Sequence, residues 1–243
     1  MGLKIYLGKA LNSVLKRYDY EITRSSSLQK LQKYIEQPSY QIERYLRTAS
    51  IRKLQIGCGP NPLDGWLNTD LVPSKGVVQL DARERLPFPD CSFQYIFCEH
   101  FIEHLEYRDG VNLLRECFQI LKPKGKIRIA TPDLRVLISW YNSEKTELQT
   151  RYISDVAGRF FPNTLTHQDV FVMNIWFREF GHKFIYDFEV LRDAMMEVGF
   201  RNISSHNVGE SNDINLQNLE RHGEHVPMGF NELETFVIEG VKP

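Results

Sequence analysis

The sequence predicts a doubly wound α/β domain with a mostly parallel, seven-stranded-type sheet, an antiparallel edge hairpin and an N-terminal helical extension. From residue 51 onward, short apolar segments alternate with helical segments, which is the pattern of a parallel sheet covered by helices. The last two strand-like segments suit an antiparallel edge. A length of 243 residues is enough for one such domain with a well-buried core. We expect the domain to cover residues 51–243, with an insertion at about 133–186, between the fifth strand and the late helix.

The strands and helices are predicted from the pattern of apolar residues, and their ends from residues that are typical of helix and strand termini. Strands are predicted at about Lys53–Ile56, Trp66–Asp70, Val77–Leu80, Tyr95–Cys98, Lys126–Ala130, Ile203–Val208 and Thr235–Gly240. Helices are predicted at about Glu99–Leu105, Arg108–Leu121 and Asp187–Val198. The last of these has Asp187 as its N-cap and Gly199 at its end, because an aspartate accepts first-turn N–H groups and glycine tolerates the terminating conformation.

The first fifty residues form the helical extension. Apolar residues recur at helical spacing between residues 3 and 18, with lysines and arginines mostly on the other face. Such a basic amphipathic helix suits an anionic membrane surface, its own domain or a partner chain. A second helical stretch, Leu28–Arg47, is predicted to be interrupted at Pro38.

The composition disfavours nucleic-acid-binding, cysteine-zinc and membrane-spanning classes of protein. Thirty basic residues balance 31 acidic ones, so the strong positive field that usually accompanies nucleic-acid binding is missing. The four cysteines lack zinc-like spacing and indicate reduced thiols. No apolar run approaches the roughly 18 residues of a membrane span. We therefore expect a cytoplasmic protein without a transmembrane segment, and a homodimer is left open.

A glycine loop follows the first strand in Ile56-Gly57-Cys58-Gly59. Ligands of open α/β sheets bind at this end of the strands, and glycines let them approach the backbone. A nicotinamide dinucleotide site would need a third glycine where Pro62 stands. It would also place an acidic strand end about 20 residues after the first glycine, whereas Asp70 comes 13 after Gly57. The dinucleotide interpretation therefore fails.

Two acidic strand ends indicate an adenosine-type ligand instead. Asp70 ends the second strand, where its carboxylate could accept hydrogen bonds from two ribose hydroxyls. Asp81 ends the third strand, where it could accept from an adenine amine. The fourth strand ends in Cys98-Glu99-His100, beside the same crevice.

At these residues the chain resembles the class I S-adenosylmethionine-dependent methyltransferases, of the small-molecule or glycan type, with their Rossmann-like fold. The resemblance rests on the glycine loop, the Asp81–Phe93 segment with its Leu-Pro-Phe turn, the run His100–Leu105, and Leu121–Lys126. It implies a transferase with S-adenosylmethionine as cofactor. The cofactor residues it implies are Ile56, Gly57, Cys58, Gly59, Asp70, Leu71, Asp81, Ala82, Glu99 and His100, with Glu99 and His100 under the methyl group.

The chain departs from the family pattern in three places. Gln55 stands where an acidic residue is usual, which could weaken contact with the amino group of the cofactor. Pro60, Pro62 and Gly65 leave room for only a very short helix after the loop, and Gln94 replaces a common aspartate. Gln55 and the short loop are the best support for the alternative function, a methyltransferase-like binding or scaffold protein without catalysis.

The sequence also contains a pattern of metal-site type and two histidines that could act as a base. His100, Glu103 and His104 spell His-x-x-Glu-His, an inverted zinc-protease pattern, but the same letters occur in metal-free methyltransferases, so no metal is expected. If the acceptor atom is oxygen, a neutral histidine is a suitable base. We expect His100 or His182 to fill this catalytic role, on a small-molecule or glycan acceptor that the sequence does not identify.

Overall fold

The computed structural model describes residue 35 and residues 37–243. The basic amphipathic helix predicted for residues 3–18 lies outside the described residues. Helix α1 covers Pro38–Thr48 and begins at the proline that was predicted to interrupt this stretch. Proline suits the first turn of a helix, where its missing N–H would have had no partner. The chain divides between Arg44 and Tyr45 into two units, and the sheet lies in the larger one, residues 45–243.

Seven strands form one sheet in the order β3-β2-β1-β4-β5-β7-β6. The strands are β1 Lys53–Ile56, β2 Leu67–Asp70, β3 Val77–Gln79, β4 Phe93–Glu99, β5 Leu121–Pro132, β6 Arg201–His206 and β7 Thr235–Val241. The first five are parallel, and β7 runs antiparallel between β5 and β6. This confirms the predicted doubly wound sheet with an antiparallel edge. The central strands are apolar because helices cover them, as the complete burial of Leu54, Ile96 and Phe97 shows.

The remaining helices are α2 Tyr107–Ile120, α3 Leu134–Asn142, α4 Glu147–Phe160, α5 Asp169–Arg178, α6 Phe188–Val198 and α7 Phe230–Glu234. Helix α6 has the predicted ends, since the Asp187 carboxylate accepts from the Val190 N–H and Gly199 closes the helix at φ 124°. Helices α3, α4 and α5 lie within residues 133–186, the range that was predicted to be an insertion. They share an apolar core around Trp140 and Trp176, both fully buried. None of the helices in the described part of the chain is long and apolar enough to span a bilayer.

Two local predictions are wrong. The helix expected over Glu99–Leu105 is absent, because β4 continues to Glu99 and His100 adopts a left-handed φ of 44°. Only a 3-10 helix, Ile102–His104, follows it. The very short helix expected after the glycine loop is also missing, since residues 57–66 form turns. Prolines in that loop remove backbone donors that a helix would need.

The segment between β6 and β7 crosses back over the sheet and was not predicted. It contains two 3-10 helices, Ile214–Leu216 and His222–Glu224. Arg128 of β5 is fully buried beneath it and donates to Glu220 and Glu239, at 2.6 Å each. A buried cation between two carboxylates fixes this polar segment to the sheet, and the segment in turn completes the site described next.

Candidate active site

The glycine loop at the end of β1 has the backbone that only glycine adopts freely. Gly57 and Gly59 have φ values of 66° and 50°. A Cβ on Gly57 would lie 2.2 Å from Cδ2 of Phe101, whose ring packs directly on the loop. No atom lies within 4 Å of the corresponding position on Gly59. The loop is therefore shaped by conformation at both glycines and by close packing at the first.

Gln55 has a structural use in this loop. Its Nε2 donates to the Asn61 carbonyl oxygen at 3.1 Å, and its Oε1 accepts from the Leu63 N–H at 3.1 Å. The residue is 2% exposed. A carboxylate could not donate the first of these bonds, so glutamine matches a loop in which prolines replace the usual helix.

Asp70 ends β2 beside the glycine loop. Its Oδ2 accepts from the Gly59 N–H and its Oδ1 from the Val72 N–H, at 2.9 Å each. A carboxylate offers about four lone-pair positions, so both oxygens keep acceptor capacity for a vicinal diol. This geometry fits the ribose role that the family resemblance implies.

Asp81 follows β3 and is engaged by Arg83. The Arg83 guanidinium donates from Nε at 2.9 Å and from Nη2 at 2.6 Å. These bonds, with one from the Arg83 N–H, lower the pKa of Asp81 to about 2. Exposed ion pairs of this kind are weak, so the carboxylate can exchange Arg83 for an amine of a bound nucleobase.

These residues line one crevice of about 170 Å³ at the carboxyl edge of the sheet. It brings together six predicted cofactor residues, Ile56, Gly57, Asp70, Leu71, Asp81 and Ala82. Cys58 and Gly59 adjoin it in the glycine loop. Phe101, His104 and Leu105 close the side toward β4. The positive-φ glycines and the two acidic strand ends fit an adenosine-containing cofactor.

Glu99 and His100, the two residues expected under the methyl group, are not among the residues that line the crevice. The Glu99 carboxylate accepts from the N–H groups of Arg221 and His222, at 2.9–3.0 Å, and so anchors the 3-10 helix His222–Glu224 over the end of β4. His100 lines a second cavity rather than the crevice.

This second cavity, of about 350 Å³, lies between the ends of β4 and β5 and the helices of the insertion. Its walls are His100, Glu103, His104, Pro132, Tyr152, Asp155, Val156, Arg159, Trp176, Phe180, His182, His222, His225, Val226, Phe230 and Glu234. Both predicted catalytic histidines, His100 and His182, are among them. His104 also lines the crevice, so the two spaces are neighbours.

A histidine–carboxylate pair stands on the cavity wall. Nε2 of His222 lies 3.0 Å from Oε1 of Glu234, and the Tyr152 hydroxyl donates to the other Glu234 oxygen. The His222 ring stacks on His100 with centroids 4.0 Å apart. Burial opposes protonation of His222, but the hydrogen bond and charge of Glu234 raise its pKa above the ordinary value. Burial holds the pKa of His100 well below its usual range.

A second group of polar side chains lies on the same cavity wall. Glu103 is completely buried, and burial raises its pKa to about 7. His182 is half-buried, and burial, with a smaller effect of His104, lowers its pKa to about 4. The rings of His104 and His182 meet edge to face, with centroids 5.1 Å apart.

No motif or periodicity in the sequence indicated a role for His222, Glu234 or Tyr152. The segment that carries His222 is polar and lacks periodicity, and its position depends on the buried Arg128 and on Glu99. One signal was available, since two histidines three residues apart stand in an otherwise featureless stretch, at positions 222 and 225.

Comparisons with known proteins agree with this geometry. Residues 65–129, which run from the start of β2 into β5, match the family model described as a methyltransferase domain. No curated protein matches the sequence.

Several solved structures are similar in fold. A SAM-dependent methyltransferase from Archaeoglobus fulgidus is 19% identical, with a TM-score of 0.46, and the match covers 86% of this chain and 94% of that one. A Thermotoga maritima protein described as a possible histamine N-methyltransferase is 17% identical, with a TM-score of 0.44 and coverage of 89% and 96%. A Mesorhizobium loti methyltransferase is 14% identical, with a TM-score of 0.47 and coverage of 84% and 98%. Likeness at this level identifies neither an acceptor nor a site residue.

The strand order, the glycine loop, the acidic strand ends and the matched segment define a class of enzyme. The chain is an S-adenosylmethionine-dependent methyltransferase with a Rossmann-like fold. Its cofactor is S-adenosylmethionine, which supplies a methyl group on a sulfonium sulfur.

Proposed function

We propose that this enzyme methylates a hydroxyl oxygen of a small-molecule or glycan acceptor held in the cavity next to the cofactor crevice. The observation that carries the proposal is the His222–Glu234 pair on the wall of that cavity. Methyl transfer from a sulfonium is an in-line displacement, so the protein mainly has to align the acceptor and exclude water. A hydroxyl acceptor also needs a base, and this pair supplies one.

The cavity suits a compact polar acceptor. Its volume is about 350 Å³, and aromatic side chains such as Trp176 and Phe180 share its walls with carboxylates, histidines and Arg159. Apolar faces with a few converging polar groups are typical of small-molecule sites. A net charge of −1 supports the same class of acceptor over a nucleic acid.

The base is placed by its neighbours. The His222 backbone N–H donates to Glu99, which brings the His222 ring to the end of β4 beside His100. Glu234 orients the imidazole through Nε2 at 3.0 Å, as a carboxylate does in other histidine-based sites. His100 stacks on His222 and is the sequence-predicted base closest to it. We assign proton acceptance to His222, with His100 shaping the site.

We assign the roles of the cofactor residues from their positions at the crevice. The positive-φ glycines Gly57 and Gly59 would leave space for the methionine part, and Asp70 would accept from the ribose hydroxyls. Asp81 would turn from Arg83 to the adenine, with the Ala82 backbone beside it. The ring of Phe101, packed on Gly57, would shield the reacting atoms from water.

Formation of S-adenosylhomocysteine tests this proposal. The purified chain is given S-adenosylmethionine with a panel of free sugars, nucleotide sugars and phenols, and the acceptor that supports turnover is used for variants. His222→Ala should lower kcat/KM by about 10²- to 10⁴-fold, the usual contribution of a general base, with unchanged affinity for S-adenosylmethionine.

His167→Ala is the matched control. His167 belongs to the same insertion, contacts Gly158 and does not line the cavity. Its variant should retain wild-type turnover. Full activity of His222→Ala, or methylation only at a nitrogen or carbon atom, would refute the assignment.

A further inference from the structure

Three side chains between the crevice and the cavity come together without forming hydrogen bonds to each other. They are Glu103 and His104 from the 3-10 helix after β4, and His182 from the loop after α5. One ligand atom from each lies within 4.8 Å of the others. Ligands at about 2.1 Å from a tetrahedral ion are roughly 3.4 Å apart, so side-chain shifts of about 1 Å would complete a coordination shell.

The Glu103 carboxylate is half satisfied. Its Oε2 accepts from the Thr131 hydroxyl at 2.9 Å, whereas Oε1 has no hydrogen-bond partner among the described residues. The side chain is 0% exposed. Nδ1 of His100 lies 3.6 Å from Oε1, which is too long for a hydrogen bond. A buried carboxylate oxygen without a donor is costly, and a cation beside it would remove that cost.

The rings of both histidines lie against the backbone, and His182 forms a hydrogen bond to it through one ring nitrogen. Nδ1 of His182 lies 2.7 Å from the Trp176 carbonyl oxygen. Because a carbonyl only accepts, Nδ1 carries the proton and Nε2 keeps its lone pair. Nδ1 of His104 lies beside Gly181, 3.7 Å from the position that a Cβ on this glycine would take. A backbone carbonyl on one nitrogen, with the other left bare, is the usual arrangement of metal-binding histidines.

The backbone holds this geometry in advance. The N–H groups of Lys183 and Phe184 both donate to the Glu103 carbonyl oxygen, at 2.7 and 3.1 Å. Gly181, at φ 78°, turns the chain after α5 so that His182 returns toward the 3-10 helix. The third ligand is thus tied directly to the element that carries the other two.

A neighbouring group of similar composition needs no ion. His100, His222 and Glu234 also lie within 4.8 Å of one another. Both carboxylate oxygens of this group are already paired, since Glu234 accepts from His222 and Tyr152, and Nε2 of His100 contacts the Thr235 hydroxyl at 2.9 Å. The unsatisfied oxygen therefore distinguishes the Glu103 group.

We propose that Glu103, His104 and His182 bind one divalent transition-metal ion. Two imidazoles and a carboxylate suit Zn²⁺ and its neighbours rather than Mg²⁺ or Ca²⁺. His104 is exposed and gives the ion a route of entry. Two of the three ligands belong to the His-x-x-Glu-His pattern, at which the sequence led us to expect no metal, and His182 takes the place of His100.

The bound ion would act on the methyl acceptor. Only this catalytic role rests on the proposed function. All three ligands line the cavity. Three protein ligands leave an open position, where an acceptor hydroxyl could bind and lose its proton more readily. Metal binding itself does not depend on turnover.

Metal content and affinity test the site directly. Tag-free protein is stripped with a chelator, dialysed, and titrated with Zn²⁺ in a calorimeter, and with Co²⁺ while its visible absorption is recorded. We expect one ion per chain. His182→Ala, His104→Ala and Glu103→Gln should each weaken binding about 100-fold or more, while His167→Ala, outside the cavity, retains it. Thermal unfolding of each metal-free variant shows whether it is folded, and Glu103→Gln keeps the shape of the side chain if an alanine variant is not.

Three results would overturn the proposal. They are no stoichiometric binding by the wild-type chain, unchanged binding in all three variants, or binding lost in His222→Ala but kept in His182→Ala. S-adenosylhomocysteine formation is measured on the same samples. Turnover by the metal-free protein would refute the role of the ion on the acceptor and leave the proposed function standing. Metal binding without turnover on any acceptor would leave the site standing and refute the proposed function.

Discussion

Gly57→Ala tests how the glycine loop is built. The residue has φ 66°, and an added Cβ would lie 2.2, 2.5 and 3.0 Å from Cδ2, Cγ and Cβ of Phe101. The ring cannot swing away easily, because its own Cβ is part of the clash. The left-handed conformation costs alanine roughly 1–2 kcal/mol, and forced repacking adds about 1–3 kcal/mol.

Gly59→Ala provides the matched comparison. Gly59 has φ 50° and no atom within 4 Å of its Cβ position, so it bears only the conformational cost. Urea unfolding should therefore show Gly57→Ala to be less stable than Gly59→Ala by about 1–3 kcal/mol. In a Phe101→Ala background this difference should become much smaller, since the contacts with Cδ2 and Cγ are gone and only the 3.0 Å contact with Cβ remains. Equal losses from both glycines, or an undiminished difference without the ring, would refute the packing argument.

Three further outcomes follow from buried polar groups. Gln55→Glu should lower the free energy of unfolding by about 1–3 kcal/mol, because the Asn61 carbonyl loses its hydrogen-bond donor. An unchanged urea midpoint would contradict the structural role of this glutamine. Arg128→Met should lower the free energy of unfolding by about 3–5 kcal/mol, because Glu220 stays buried without its cation. Calorimetric unfolding measures this loss, and a variant as stable as the wild-type chain would argue against the buried ion pair. Burial disfavours protonation of His222, but Glu234 raises its pKa, and only the neutral ring accepts a proton. The pH profile of kcat/KM should thus rise through a pKa above the ordinary histidine value, and Glu234→Gln should shift that rise to lower pH, whereas an unshifted profile would exclude the pair.

The sheet was predictable because buried parallel strands must be apolar. Strand β1 has its predicted ends, and β2 differs by one residue. The wrong helix over Glu99–Leu105 shows where local pattern fails. Its apolar spacing is real, but contact between Phe101 and Gly57 and the left-handed His100 make the chain turn instead. The conformation of such a segment depends on its tertiary contacts, which cannot be predicted from the sequence of the segment alone.

The cofactor crevice was more predictable than the cavity. Its residues follow strand ends, so topology alone brings Asp70 and Asp81 to one edge. The cavity joins residues far apart in the chain, such as Glu103, His182 and His222, through backbone contacts made by polar loops. Hydrogen bonds from Lys183 to Glu103 and from His222 to Glu99 fix these loops, and no periodicity marks them.

Calorimetric titration of the full chain with S-adenosylmethionine tests the central assignment most directly. We predict saturable binding at one site, and at least tenfold weaker binding by Asp70→Asn, because a neutral amide replaces the carboxylate that would accept from the ribose. Thermal unfolding of the variant checks that it is folded. Absence of binding by the wild-type chain, equal affinity of the variant, or preference for a nicotinamide dinucleotide would contradict the assignment.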